Sequence, residues 1–177
     1  RMHSDIMRWP SRMYYKSRLK ADSSVKKRVP LINKEACANW LFPWVFYDVN
    51  GHERCVNTSK ANQAEVNFIV ALVKELRYLG VQCKRSVGVI AFYSAQVKAL
   101  EKSLLGADAP KVHTVDGFQG GECDIIILST VRANKNDVVG FAKDARRLNV
   151  AVTRGRHHVL IVGHAKTLRN SRTDLAK

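Results

Sequence analysis

Ile125-Ile126-Ile127-Leu128 is apolar at every position. Successive side chains of a strand point to opposite faces, so this run leaves no face for water. Val87-Gly88-Val89-Ile90-Ala91 has the same property. Such strands belong to a parallel sheet covered on both sides. The segments between them supply the covers. From Ala61 to Leu79, Val66, Ile69, Val70, Val73 and Leu76 recur at helical spacing, and Gly80 ends the helix. A second helix is predicted from Ser94, which can cap it, to about Leu105, with Val97, Leu100 and Leu104 inward. Other strands are predicted at Trp44–Val49, closed by Asn50-Gly51, at Val112–Val115, at Asp124–Thr130 and at His158–Val162, closed by Gly163. Helices are predicted over Asp144–Arg154, from Ala165 onward, and over Asp5–Leu19, where Pro10 interrupts. From Lys20 to Pro43 the pattern is lost, which reads as a surface loop or insertion. The alternation of strand and helix defines an α/β domain over residues 1–177. Ligands of such sheets sit at the carboxyl ends of the strands, so chemistry is expected in the loops after Ile90, Val115 and Thr130.

With 177 residues, 46% of them hydrophobic, the chain can build one real core. Lys and Arg number 30 against 15 Asp and Glu, a formal net charge of +15. A field of that sign recruits polyanions, with nucleic acid the leading partner and an acidic membrane surface the second. A generally basic surface is the plain alternative. The charge is dense from Arg1 to Lys34 and from Lys143 to Arg156, so it decorates folded elements and is not a simple tail. Cys37, Cys55, Cys83 and Cys123 form no C-x-x-C pair, so no metal site and reduced thiols are expected. No apolar run approaches the ~20 residues that span a bilayer, and no membrane partner is expected. The chain opens on Arg1 and not Met, which reads as a piece of a longer protein or a processed chain.

Two stretches can carry chemistry. In Thr114-Val115-Asp116-Gly117-Phe118-Gln119-Gly120-Gly121-Glu122, glycines let backbone N–H groups cradle phosphate oxygens, and the carboxylate can accept ribose hydroxyls. An ordinary strand-to-strand turn fits the same residues. In Arg146–Arg156, Arg147 and Arg154 share roughly one helical face, and a guanidinium there can meet a transferring phosphate. A basic, solvated helix face is the alternative. No G-x-x-x-x-G-K-[ST] phosphate loop occurs; Gly163-His164-Ala165-Lys166-Thr167 lacks the upstream glycine. No acidic pair at a strand end is present to hold Mg²⁺. His157 and His158 are adjacent, point to opposite faces of a strand and cannot share a metal.

These stretches resemble motifs of the superfamily 1B nucleic-acid helicases of the senataxin and nonsense-mediated-decay type. Thr114–Thr130 resembles their motif V and Arg147–Arg156 their motif VI. Arg1-Met2-His3 resembles the tail of Q-Y-R-M-H-P, and Val89–Gln96 resembles I-I-T-P-Y-x-x-Q. Val131-Arg132-Ala133-Asn134 and Gly140-Phe141 fit the loop between motifs V and VI. The resemblance covers nearly the whole chain in motif order. It implies the second RecA-like domain of the helicase, a P-loop NTPase fold lacking the phosphate loop. Such a domain binds ATP with Mg²⁺ against the N-terminal RecA-like domain of the same protein, on which the Mg²⁺ ligands are expected. By position, Arg154 resembles the arginine finger, Arg1 a second γ-phosphate contact, Gly120 and Gly121 the backbone at the phosphate, and Glu122 the ribose carboxylate. Thr114, Tyr93 and Gln96 fall on the side implied for single-stranded DNA or RNA. The resemblance further implies 5′-to-3′ movement, an intracellular setting in nucleus or cytoplasm, and no activity for this domain alone. Ser4, Ala91-Phe92, Gly121 and Gly155 depart from the family pattern, which has proline, Thr-Pro, a larger residue and alanine there. A non-catalytic helicase-like binding or scaffold module is the alternative. A free-standing basic domain explains the charge but not the motif order.

Overall fold

The computed structural model describes residues 2–26, 32, 40–118, 120–171 and 173–176. Along the chain run helices α1 (Ser4–Tyr14) and α2 (Ser23–Lys26), then strands β1 (Trp44–Asp48), β2 (Arg54–Val56) and β3 (Ser59–Ala61). Helices α3 (Gln63–Tyr78) and α4 (Cys83–Ser86), strand β4 (Val87–Ala91), helix α5 (Ser94–Ser103) and strands β5 (Lys111–Thr114) and β6 (Cys123–Ser129) follow. Helix α6 (Ala145–Val152), strand β7 (Gly155–Gly163) and helix α7 (Ala165–Asn170) complete the order.

Five strands form one sheet in the order β1-β7-β6-β4-β5, and every pairing is parallel. This is the α/β RecA-like arrangement. In β6 the alternation is literal. Ile125 and Ile127 enter the core beneath α3 and α5, while Ile126 and Leu128 enter the core beneath α1 and α6. All four are fully buried. Each such side chain stabilises the fold by about 1.5–3 kcal/mol before conformational entropy is counted.

Helix α3 starts where Asn62 accepts the N–H groups of Ala64 and Glu65 on its side chain. Helix α5 begins differently from the expectation. Ser94 is its first residue and makes no cap; Ser59 on β3 accepts the Ala95 N–H at 3.1 Å. Helix α1 runs through Pro10 unbroken and ends at Tyr14. Buried Ile6 and a Trp9–Trp44 stack at 5.3 Å hold it to the sheet. The β2–β3 hairpin was not expected, because its exposed residues carry no apolar alternation. Within the predicted loop 20–43, α2 is present with Val25 buried, and 27–31 and 33–39 lie outside the described residues. Cys55, Cys83 and Cys123 are free thiols. No helix among the described residues is long and apolar enough to cross a membrane.

Candidate functional site

Parallel pairing sets a requirement on the glycine-rich stretch. Strand β5 ends at Thr114 on the carboxyl edge, and β6 starts at Cys123 on the amino edge. The segment between must cross the sheet, roughly 20 Å for a strand of this length. It crosses on the α6 side. Phe118 is buried there, and a Cβ on Gly88 would lie 2.8 Å from its Cζ. Glycine in the middle of β4 is therefore a seat for the Phe118 ring. The turn is closed by Phe118 N–H to Thr114 O at 3.0 Å, Gly117 N–H to Thr114 Oγ1 at 3.1 Å and Gly121 N–H to Phe118 O at 3.1 Å. Gly120 has φ +84°, a conformation glycine adopts without strain. Gln119 lies outside the described residues.

The crossing brings Glu122 to the amino edge. Helix α6 does the same for Arg154, because it descends the sheet to the start of β7. Cys123 N–H donates to Arg154 O at 3.1 Å, so the two motif segments are tied side by side. The Arg154 Nε donates to Val150 O at 3.0 Å and its Nη2 to Thr153 Oγ1 at 3.4 Å, folding the guanidinium onto the carboxyl end of α6. A cation is favoured there by the helix carbonyls. Glu122 pairs with Arg156 Nε at 3.2 Å, and Arg156 reaches Asp124 at 3.8 Å. His3 N–H donates to Arg156 O at 2.7 Å, which brings the start of the chain to this edge. Arg1 lies outside the described residues. Gly155 opens β7 where the register slips, and a Cβ there would meet Val159 Cγ2 at 2.6 Å. The departure from alanine falls in a strand, so no helix stability is lost.

Sequence placed Arg147 and Arg154 on one helical face, but they serve opposite edges of the sheet. Arg147 sits in the first turn of α6, near the carboxyl edge. It pairs with Asp116 at 3.0 Å and lies over the Phe141 ring at 4.6 Å. A cavity of about 320 Å³ opens here between Val115-Asp116 and Asp144, Arg146, Arg147 and Val150. The loops after Ile90, Val115 and Thr130 all leave the sheet at this carboxyl edge. They hold Tyr93, Asp116 and Arg132 there, and the loop after Val115 goes on to carry Glu122 to the amino edge, where Arg154 also lies.

Two of the three residues expected to touch a nucleic-acid strand are enclosed. Gln96 is fully buried. Its Oε1 accepts the Asn62 N–H at 2.8 Å, and its Nε2 donates to Asn62 O at 3.3 Å and Ser129 Oγ at 3.0 Å. Both ends of the amide are used inside the fold. Tyr93 is 7% exposed and accepts Arg132 Nη1 at 3.0 Å on its hydroxyl. Its hydroxyl supports Arg132. Thr114 is half-buried at the carboxyl edge, its hydroxyl engaged by Gly117.

Sequence reading missed two carboxylates that organise this edge. Glu53 accepts Arg132 Nε at 2.7 Å, the Ala133 N–H at 3.0 Å, Asn134 Nδ2 at 2.9 Å and Lys60 Nζ at 3.0 Å. Burial opposes its charge, but these donors win and hold its pKa down at about 2. Glu65 is fully buried. It accepts Ser129 Oγ at 2.6 Å and the Val131 N–H at 3.0 Å. Val131 has φ +70°, which a β-branched residue adopts only when its neighbours enforce it. Glu65 and Asn62, which donates to Val131 O at 3.2 Å, grip both backbone groups of Val131. No sequence signal marks either carboxylate, since apart from Lys60 and Asn62 their partners are 64 to 81 residues away.

Burial raises the Glu65 pKa to about 7. A folded-state pKa above the unfolded value gives stability that is complete below about pH 4.5 and lost as pH rises through about 7. The variant Glu65→Gln removes that loss. Its urea midpoint is expected to gain on wild type between pH 5 and pH 8, and a difference that does not change with pH would contradict this.

Among the described residues no group of three or more His, Cys, Asp or Glu gathers for a metal ion. Fold and motif geometry together define a RecA-like domain without a phosphate loop. Residues 1–166 match the AAA domain family. The chain is 37% identical over 95% of its length to the DNA polymerase alpha-associated DNA helicase A of Saccharomyces cerevisiae. It is 38% identical over 96% of its length to the helicase sen1 of Schizosaccharomyces pombe, and 36% over 97% to the 5'-3' DNA helicase ZGRF1 of Mus musculus. The chain belongs to the AAA domain family and is a superfamily 1 helicase C-terminal domain. It spans 27%, 10% and 9% of the length of these three relatives.

Proposed function

We propose that this chain is the second motor domain of an ATP-dependent DNA or RNA helicase, and that its amino edge completes an ATP site against the first RecA-like domain of the same protein. The observation that carries this reading is the Cys123–Arg154 backbone bond, which joins the motifs bearing Glu122 and Arg154. The groups at this edge are Arg154, Arg156, the backbone at Gly120 and Gly121, and one carboxylate. Donors of that kind suit phosphate and ribose, whereas Mg²⁺ prefers an oxygen cage, and its ligands belong to the first domain. Bound ATP supplies the phosphoanhydride bond that is broken.

The residues of this chain then have separate tasks. Arg154 leaves Val150 O and turns its guanidinium to the γ-phosphoryl oxygens as negative charge grows there. Glu122 exchanges Arg156 for a ribose hydroxyl. Gly120 and Gly121 let the backbone come close to the phosphates, and Arg1 adds a second cation. At the carboxyl edge, Thr114 and the basic surface take the phosphates of a single strand. Closing and opening of the cleft moves the domains along that strand, 5′ to 3′ as the name of the ZGRF1 relative suggests. The setting is intracellular, and the domain alone does not turn over ATP.

The Glu122→Ala variant of the parent protein tests the ribose assignment. Its affinity for ATP is expected to fall roughly 10-fold, the worth of one charge-assisted hydrogen bond, with strand affinity unchanged. An unchanged ATP affinity would remove Glu122 from the site.

A further inference from the structure

We propose that the crevice at the carboxyl ends of β1 and β7 is a second ligand site, built for a sugar-phosphate unit. It lies roughly 25 Å from Arg154, the length of β7. Its volume is about 650 Å³, room for one nucleotide. His52, Lys135, His164, Lys166, Asp48 and Asp137 line it.

Three chain segments form the crevice, and the fold fixes them to one another. Val49 N–H donates to Gly163 O at 2.8 Å and Glu53 N–H to Ala133 O at 3.1 Å. Thr167 Oγ1 bonds both the N–H and the O of Asn134 at 3.3 Å. Asn134 also donates to Glu53 and to Val138 O. The walls are thus held in place before any ligand arrives, which lowers the entropy cost of binding.

The unused hydrogen-bonding capacity of the walls selects the ligand. Lys135 and Lys166 are exposed and make no ion pair among the described residues. Asp48 gives one oxygen to the Ala165 N–H at 2.8 Å, and Asp137 gives one to Asn170 Nδ2 at 2.9 Å. Each carboxylate keeps a second oxygen for a hydroxyl. His164 spends Nδ1 on Thr167, leaving Nε2 for a ligand. Two free ammonium groups suit a phosphate, and two half-used carboxylates suit sugar hydroxyls. Such a unit comes either from a nucleic-acid strand or from a free nucleotide.

The test compares Lys135→Ala/Lys166→Ala with Lys98→Ala/Lys102→Ala, a pair on exposed α5 positions that removes the same charge. Two probes are titrated into the full chain: a single-stranded oligonucleotide and AMP. The crevice pair is expected to lose at least about 10-fold in affinity beyond the control pair, as loss of two charge-assisted hydrogen bonds implies. In the wild type the ring signals of His52 and His164 shift with the probe that binds. Loss for the oligonucleotide alone, with a salt slope lower by about 1.4, assigns the unit to a strand. Loss for AMP alone assigns it to a free nucleotide. Equal behaviour of the two pairs with both probes, or no binding of either probe to wild type, would overturn the proposal.

Discussion

Arg154→Ala is expected to lower the ATP turnover of the parent protein by about 10³–10⁵-fold, the usual worth of an arginine finger, while ATP binding is nearly unchanged. The split follows from where the guanidinium acts. In the resting domain it rests on Val150 O and Thr153 Oγ1 and is only half-buried, so it contributes little to stability. In the proposed site its value lies in the charge that develops on the phosphoryl oxygens, which it would meet with a planar fork. Lysine at the same position brings a point charge without the fork, so Arg154→Lys is expected to recover only a small part of the rate. Steady-state turnover measured beside ATP affinity checks this. Equal turnover in Arg154→Ala would mean that another cation serves the transition state, with Arg156 next to be replaced.

Glu53→Ala is expected to cost about 3–5 kcal/mol of stability, because it strands a buried partner. Arg132 has 6% of its side chain exposed and would keep its charge with only the Tyr93 hydroxyl beside it. The Ala133 N–H and the Asn134 amide would lose an acceptor at the same time. The pH dependence has a definite sign. With a folded pKa of about 2, below the ordinary carboxylate value, Glu53 stabilises the fold above about pH 4.5 and loses this as pH falls through about 2. Glu53→Ala should therefore lie far below wild type in urea midpoint at pH 7 and close on it in strong acid. An unfolding free energy within about 1 kcal/mol of wild type at pH 7 would mean that water replaces the carboxylate at little cost.

The sheet was legible because its central strands, β4 and β6, are apolar on both faces. Ile125 to Leu128 specify a central parallel strand without knowledge of any neighbour, and β4 repeats the pattern. Helix α3 was legible from its periodic valines and isoleucines. The hairpin and the α5 cap were not, since Ser59 caps a helix 36 residues further on. At the site, the resemblance picked out Glu122 and Arg154, and the fold brings their segments together through one backbone bond. Residue type did not reveal how Gln96 and Tyr93 are enclosed. A glutamine and a tyrosine in a motif loop look available for a strand, yet both are consumed by internal partners. Glu53 and Glu65 carried no local pattern at all. Their meaning comes from donors that only the folded sheet gathers around them.

The most direct test of the motor reading is ATP turnover by the full-length parent protein with and without a single-stranded oligonucleotide. Slow turnover alone and marked stimulation by the strand are expected, with the stimulation lost in Arg154→Ala. Absence of turnover in a well-folded wild type that still binds the oligonucleotide would contradict the motor reading and identify the domain as part of a helicase-like scaffold.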